Sequence, residues 1–488
     1  MKKKFGYVFI ALIVLYIILL IPTEKVVEPS VAGKKTFVWN RDSLWLALEN
    51  KFIAAKNTGC EKLKDTIQAN IAFINKLINE VDEKSPGPSD RIYGILEHKI
   101  FSLAALAGGC PGSTSDFQSL FNRLRNVIKE KSINWKCEDI YARQTLYKII
   151  YGGRAALEEL LLQVDKNSVP PLWVNTESKS MTPGANILGV EIHSGDILVS
   201  RGGAPTSALI ARGSDYPGNF SHIALVYVDE STKLPYIIES HIERGVVISS
   251  IYDYLNDKKL RVMVLRLRST LPQLKTDPLL PHKAAKSIYE KVKQFHIPYD
   301  FEMNCSDTAK LCCSEVASSA YNKKGIALWN IVSSVSARGT ARWLAAFGVK
   351  YFEFQEPSDL EYDSQLEVAA EWRNRDALYQ DHVDNAVVDA MIDWANKGNK
   401  LVYDWYMLPF ARITKLYSWV LNWFGKEGPI PEGMSTESGL RHKKFVFLHE
   451  QIKSYVLKKA DLFFIDNKYA APYWKLAGFA NEFLMKTI

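Results

Sequence analysis

Between Ser194 and Arg268 the hydrophobic period falls to two, in four segments that follow one another without long helical crossovers. They read "SGDILVSR" (194–201), "SHIALVYVDE" (221–230), "LPYIIESHIERGVVISS" (234–250) and "LRVMVLRLR" (260–268), all rich in Val and Ile. Parallel neighbours need a crossover of about a dozen residues or more, so an antiparallel sheet is expected. Two helices are predicted beyond it, "PHKAAKSIYEKVKQF" and "DTAKLCCSEVASSAYNKKG", joined by the loop "HIPYDFEMN".

Helical patterns flank this block. "DTIQANIAFINKLINEV" and "ARQTLYKIIYGGRAALEELLLQV" carry apolar residues at helical spacing. In "DFQSLFNRLRNVIKE", Ser115 or Asp116 is placed to cap the helix. Pro170 and Pro171 then end the helical texture, since a proline pair cannot continue a helix. The chain is read as helical again after about residue 350. There "LVYDWYMLPFARITKLYSWVLNWFG" sets Trp405, Trp419 and Trp423 among tyrosines, a composition that suits a membrane interface. Its polar residues do not segregate to one side, so a core helix pair broken at Pro409 is the expectation.

At the start, Lys2, Lys3 and Lys4 precede an uncharged run from Phe5 to Ile21. At about 1.5 Å per residue that run just spans a thin bilayer. It is longer than a typical signal-peptide core, and "LLIPTEK" lacks small residues for cleavage, so an uncleaved transmembrane anchor is expected. The lysines would stay inside, leaving the body extracytoplasmic, on a bacterial inner membrane facing the periplasm or the cell exterior. Disulfides persist there, and any two of Cys60, Cys110 and Cys137 can pair. The expected organisation is an anchor or signal sequence over 1–22, a helical domain over 36–168, an α+β domain over 175–345 and a helical region over 346–488.

With 47% hydrophobic and 24% charged residues the chain is not a disordered one. A net charge of +7 over 488 residues, with no dense basic run outside the N-terminus, gives nucleic acid no purchase. No phosphate-binding glycine loop, Gly-x-Ser-x-Gly elbow or dinucleotide fingerprint is present. The clustered cysteines lack metal-ligand spacing, so neither a metal nor a cofactor is expected.

The chemistry rests on "MNCSDTAKLCCSEVASSAY" (303–321), with Cys305, Cys312 and Cys313. A catalytic thiol needs an early helical turn, a histidine from elsewhere and a third group to orient that histidine. Helical geometry allows only one of Cys312 and Cys313 to face a given cleft, and the apolar pattern does not choose between them. His222 stands where the loop 216–219 feeds a strand. Glu239, on the next strand, can accept from the imidazole Nδ1–H; His241 shares its parity and face.

Taken in order, "SGDILVS", "FSHIALVY", "YIIES", "PYDFEMN" and "LCCSEV" resemble the permuted papain-like amidases of the YiiX/YaeF type, in the NlpC-like cysteine peptidase superfamily. The resemblance covers about residues 187–325. It implies a permuted papain-like fold, in which an antiparallel sheet packs on the cysteine-bearing helix. It implies Cys313 as nucleophile, His222 as general base, Glu239 as the orienting group and Tyr299 as a cleft-lining residue. Asp196 and Glu315 are expected to hold loops and helix ends, and the Cys313 N–H to serve an oxyanion. Cys305 and Cys312 lie outside the motif and can bridge each other or capture Cys313. The activity implied is a thiol amidase or peptidase working through a thioester. Its substrate is a peptide, including cell-wall peptide, or an acyl lipid, with the peptide ahead. The alternative from another class is a binding protein on a disabled papain-like domain.

Overall fold

The computed structural model describes residues 2–24, 28–31, 33–34, 36–39, 42–136, 138–167, 170–329, 331–424 and 426–487. Helices α1 (Lys2–Leu19), α2 (Asp42–Thr58), α3 (Cys60–Lys84), α4 (Arg91–Gly108), α5 (Thr114–Lys131) and α6 (Ile140–Gln163) precede the sheet. Asp90 caps α4 through the Ile92 N–H (2.9 Å), and Asp139 caps α6 through Tyr141 N–H (3.0 Å). Helix α5 starts one residue before Ser115; Asp116 sits in its first turn and accepts from Gln68 instead of capping.

The strands are β1 (Leu172–Val174), β2 (Gly184–Ile187), β3 (Val190–His193), β4 (Ile197–Gly202), β5 (His222–Val228), β6 (Pro235–His241), β7 (Gly245–Ser250), β8 (Lys259–Leu267), β9 (Ser333–Ser334), β10 (Glu353–Phe354) and β11 (Leu366–Trp372). Seven form one sheet in the order β1-β11-β8-β4-β5-β6-β7, antiparallel at every pairing. Short helices α7 (Pro205–Arg212), α8 (Ile251–Asn256) and α9 (Pro272–Thr276) lie in its connections. The remaining helices are α10 (Leu280–Gln294), α11 (Cys313–Asn322), α12 (Arg338–Phe347), α13 (Arg375–Asn396), α14 (Leu408–Trp423), α15 (Thr436–Asn467) and α16 (Tyr473–Thr487).

The sheet is buried on both faces. Ile223, Leu225 and Tyr227 of β5 join the core that includes Val316, Ala317 and Ala320 of α11, while Ala224, Val226 and Val228 join a second cluster with Ile237 and Tyr254. The first core continues into the N-terminal helices through Phe121, Leu146 and Tyr147, so those helices cover the sheet. Buried ion pairs reinforce the seam: Arg154 to Glu361, Arg261 to Glu158 and Asp381, and Arg125 to Glu371 at 3.1 Å.

Three expectations are corrected here. The sheet draws β1 and β11 from outside 175–345, so the region 346–488 is not all helical. "LEVAAEW" is alanine-rich and its strand state depends on distant β8, which local patterning does not register. The transmembrane reading of Phe5–Ile21 is not met: among the described residues no helix is long and apolar enough to cross a membrane. Helix α1 ends at Leu19, and from Phe5 to that point its rise is roughly 22 Å against roughly 30 Å of hydrocarbon. Finally, the tryptophan-rich segment is not a core pair. Helix α14 buries only Leu408, Pro409, Ala411 and Ser418, and leaves Trp419 (61% exposed) and Trp423 (77%) outside. It lies against α1, where the Tyr16 and Phe410 rings meet at 6.5 Å.

Cys60 and Cys110 form a disulfide joining the start of α3 to the end of α4; Cys137 lies outside the described residues. Closing a loop of 50 residues in the unfolded chain is worth roughly 4 kcal/mol in the chain-entropy account. A Cys60→Ser, Cys110→Ser double variant is expected to lose about that much unfolding free energy in denaturant titration, with reductant having no further effect on it.

Candidate active site

Helix α11 begins at Cys313, six residues later than the expected start at Asp307. Asp307–Lys310 form turns, and the helix is set by a capping box in which Glu315 accepts the Cys312 N–H at 2.8 Å. Cys313 is thus the first residue of the helix, where the free N–H groups point outward. The chain enters this helix in a fixed track. Leu311 N–H donates to Pro298 O (3.1 Å), and Ser240 Oγ donates to Leu311 O (2.7 Å). The same stretch carrying Tyr299 is tied to β7 by the Val246 N–H to Ile297 O bond at 2.8 Å. Gly245 permits this approach: its φ is +74°, and a Cβ there would stand 2.2 Å from Ile297 O.

His222 opens β5, opposite Ser200 of β4, and Glu239 lies on β6 opposite Ala224. His222 and Glu239 are therefore diagonal neighbours on one face of the sheet. His222 Nε2 donates to Glu239 Oε2 at 2.9 Å. The expected nitrogen was Nδ1; the strand register presents Nε2 instead. With Nε2–H committed to a carboxylate, Nδ1 is the acceptor nitrogen of the neutral ring. Glu239 Oε1 accepts from Ser249 Oγ (2.8 Å) and stands 3.2 Å from His241 Nε2. Burial alone would raise the Glu239 carboxyl, but the two imidazoles hold it well below the usual carboxylate range. Burial would lower His241, and Glu239 outweighs it, raising that imidazole.

Cys313 is buried, and burial pushes its thiol up to about 12 against the lowering effect of nearby backbone N–H groups. Its Sγ donates to Ser221 O at 4.0 Å, the residue before His222, and among the described residues it makes no hydrogen bond to the imidazole. The resting thiol is neutral. Cys305 is exposed, Cys312 is buried with its Sγ 3.1 Å from Ser314 Oγ, and neither is bridged. Asp196 holds Arg266 in two bonds, at 2.9 and 2.7 Å, and accepts the His193 N–H; it is a loop anchor.

A cavity of 90 Å³ opens beside Cys313. Tyr299 lines it, with its hydroxyl driven well up by burial and by the neighbouring cysteines. Leu209 and Ile210 of α7, Leu344 and Phe347 of α12, and Met434 make its walls apolar. These wall residues were not found from sequence, because they come from three distant segments with no motif. Glu356, also in the lining, is buried, and burial raises its carboxyl well above the usual range.

Residues 191–343 match the family model described as permuted papain-like amidase enzyme, YaeF/YiiX, C92 family. The match spans the strands that carry His222 and Glu239 and the helix that starts at Cys313, and it supports a cysteine amidase- or peptidase-like hydrolase. Comparison with curated proteins and with solved structures returns no match.

Proposed function

We propose that the chain cleaves an amide bond whose acyl side is an apolar chain, through a thioester on Cys313, while seated on a membrane surface. The observation that carries this reading is the apolar cavity beside Cys313, which offers hydrocarbon contact and little for a polar peptide side chain. It moves the balance from a peptide substrate toward an acyl lipid.

In the reaction the Cys313 thiol turns from Ser221 O and gives its proton to His222 Nδ1 as sulfur attacks the carbonyl carbon. The oxyanion takes the N–H groups at the start of α11. The C–N bond breaks, the amine leaves with the proton from His222, and water hydrolyses the thioester to free acid and thiol. Glu239 stabilises the imidazolium formed between these steps.

Two observations support the location. Phe9, Ile10, Leu12 and Ile13 of α1 and Phe410, Ile413, Leu416 and Trp419 of α14 are all exposed, on helices that pack together. Such a surface suits contact with a bilayer, with tryptophan at its boundary. The Cys60–Cys110 disulfide is the chemistry of an oxidising compartment and supports an extracytoplasmic body.

The test is amine release from N-acyl amides of increasing chain length, presented free and in phosphatidylglycerol vesicles. Turnover is expected to rise with chain length, by about threefold or more per buried methylene until the cavity fills. A Trp419→Glu, Trp423→Glu variant should slow only the vesicle-borne reaction. Equal rates on short peptides would restore the peptide reading, and no turnover on any amide would favour a binding protein.

A further inference from the structure

A second cavity, of 260 Å³, lies where α2, α4 and α6 meet α13 and α16, and it shares no lining residue with the one at Cys313. Its walls are aromatic. Trp45 and Trp474 stack at 5.8 Å with 9° between their planes, and Trp39 meets Trp45 and Phe101 edge-on at 6.0 and 5.8 Å. Tyr151 and Tyr473 line it as well.

Four carboxylates line the same space, Glu49, Glu158, Glu159 and Asp389. Two are neutralised by buried arginine. Arg212 holds Asp389 in two bonds, at 2.8 and 2.7 Å, and Arg261 holds Glu158. The other two are not. Glu49, 7% exposed, accepts from Tyr469 OH (2.8 Å) and Trp474 Nε1 (2.9 Å), both neutral donors, with Lys475 Nζ no closer than 3.7 Å. Glu159 accepts the Tyr473 N–H at 2.8 Å and has His382 Nε2 at 4.0 Å.

One more group points to a missing occupant. Asn385, 3% exposed, lines the cavity, and its Oδ1 is buried without a hydrogen-bond partner among the described residues. A buried carbonyl oxygen of this kind costs stability unless a donor reaches it. Two carboxylates whose nearest basic groups stand at 3.7 and 4.0 Å, one orphan acceptor and aromatic faces together attract a cation that carries N–H groups. Burial raises the Glu159 carboxyl, an effect that a cation in the cavity would reverse.

We propose that this cavity binds a small organic ammonium ion, whose N–H groups donate to Asn385, Glu159 and Glu49 while Trp45, Tyr473 and Trp474 hold its apolar part. The site is independent of the chemistry assigned to Cys313.

The test is calorimetric titration of the full chain with benzylammonium, benzyl alcohol and benzyltrimethylammonium. Benzylammonium is expected to bind saturably at one site. It should bind at least about tenfold more tightly than the neutral alcohol, and more tightly than the trimethylated ion that lacks N–H donors. Glu159→Gln should weaken benzylammonium about tenfold and leave the alcohol unchanged, and Trp474→Leu should weaken both. Equal affinity for ammonium and alcohol, equal or tighter binding of the trimethylated ion, or no saturable binding would overturn the proposal. The comparison of probes on the unmodified chain decides the matter even where a variant fails to fold.

Discussion

Replacing Cys313 by Ala is expected to reduce amide turnover by about a millionfold, the loss seen when a nucleophile of this kind is removed. The thermal midpoint should move little, because among the described residues the one hydrogen bond the thiol donates is a 4.0 Å approach to Ser221 O, and alanine keeps the backbone N–H groups of α11. Cys312→Ala should retain turnover: alanine keeps the Cys312 N–H to Glu315 bond of the helix cap and loses only the Sγ contacts to Ser314 Oγ and the Glu315 N–H. Alkylation sharpens the distinction. Because burial pushes the Cys313 thiol up to about 12, the resting protein carries almost no thiolate there at neutral pH. Iodoacetamide is expected to label exposed Cys305 first, and Cys313 slowly, with a rate that climbs steadily through the alkaline range. Such a profile is the reverse of that expected of an activated cysteine. Turnover that survives in Cys313→Ala, with the fold intact, would remove Cys313 from the reaction.

The parts of this site legible in sequence are those fixed by local chemistry. The strand around His222 is β-branched and bounded by a Pro/Gly/Asn loop, and Glu239 and His241 follow with equal parity, so their common face could be read directly. The start of α11 was less legible. "SDTAKL" has helix-compatible residues, yet Leu311 is committed to Pro298 and Ser240, and those distant bonds delay the helix until Cys313. Long-range pairing likewise hid β11, whose partner β8 lies about a hundred residues earlier in the chain. The apolar wall beside Cys313 was not legible at all, since α7, α12 and Met434 are brought together only by tertiary packing. Nor was the exposed face of α14: composition said that it was aromatic, and only the packing against α1 and α15 decided which residues stay outside.

Glu239 carries the second large effect. It is buried between two imidazoles, and a single carboxylate serves both: Oε2 orients His222, and Oε1 faces His241 and Ser249. Glu239→Gln keeps the shape but removes the charge that, in the proposed reaction, stabilises the imidazolium, and it allows the other tautomer at His222. A loss of about ten-thousandfold in kcat, with KM little changed, is the expected result. The same substitution should change the pH dependence of stability in a signed way. His241 is raised in the folded protein, so its contribution is complete below the unfolded histidine value near 6.5 and is lost as pH rises through the higher folded value. The Glu239 carboxyl is depressed, so its contribution is present above the unfolded value near 4.3 and is lost only as pH falls far below it. The wild-type chain should therefore lose stability from this cluster as pH rises above the unfolded histidine value, while Glu239→Gln, already lower by roughly 1–3 kcal/mol, should show a flatter profile there. Unfolding titrations from pH 5 to pH 9 on wild type, Glu239→Gln and His241→Asn separate the two roles. His241→Asn should flatten the profile yet keep most turnover, because the His222–Glu239 bond remains. If His241→Asn abolishes turnover as fully as Glu239→Gln, then His241 rather than His222 is the base that Glu239 serves.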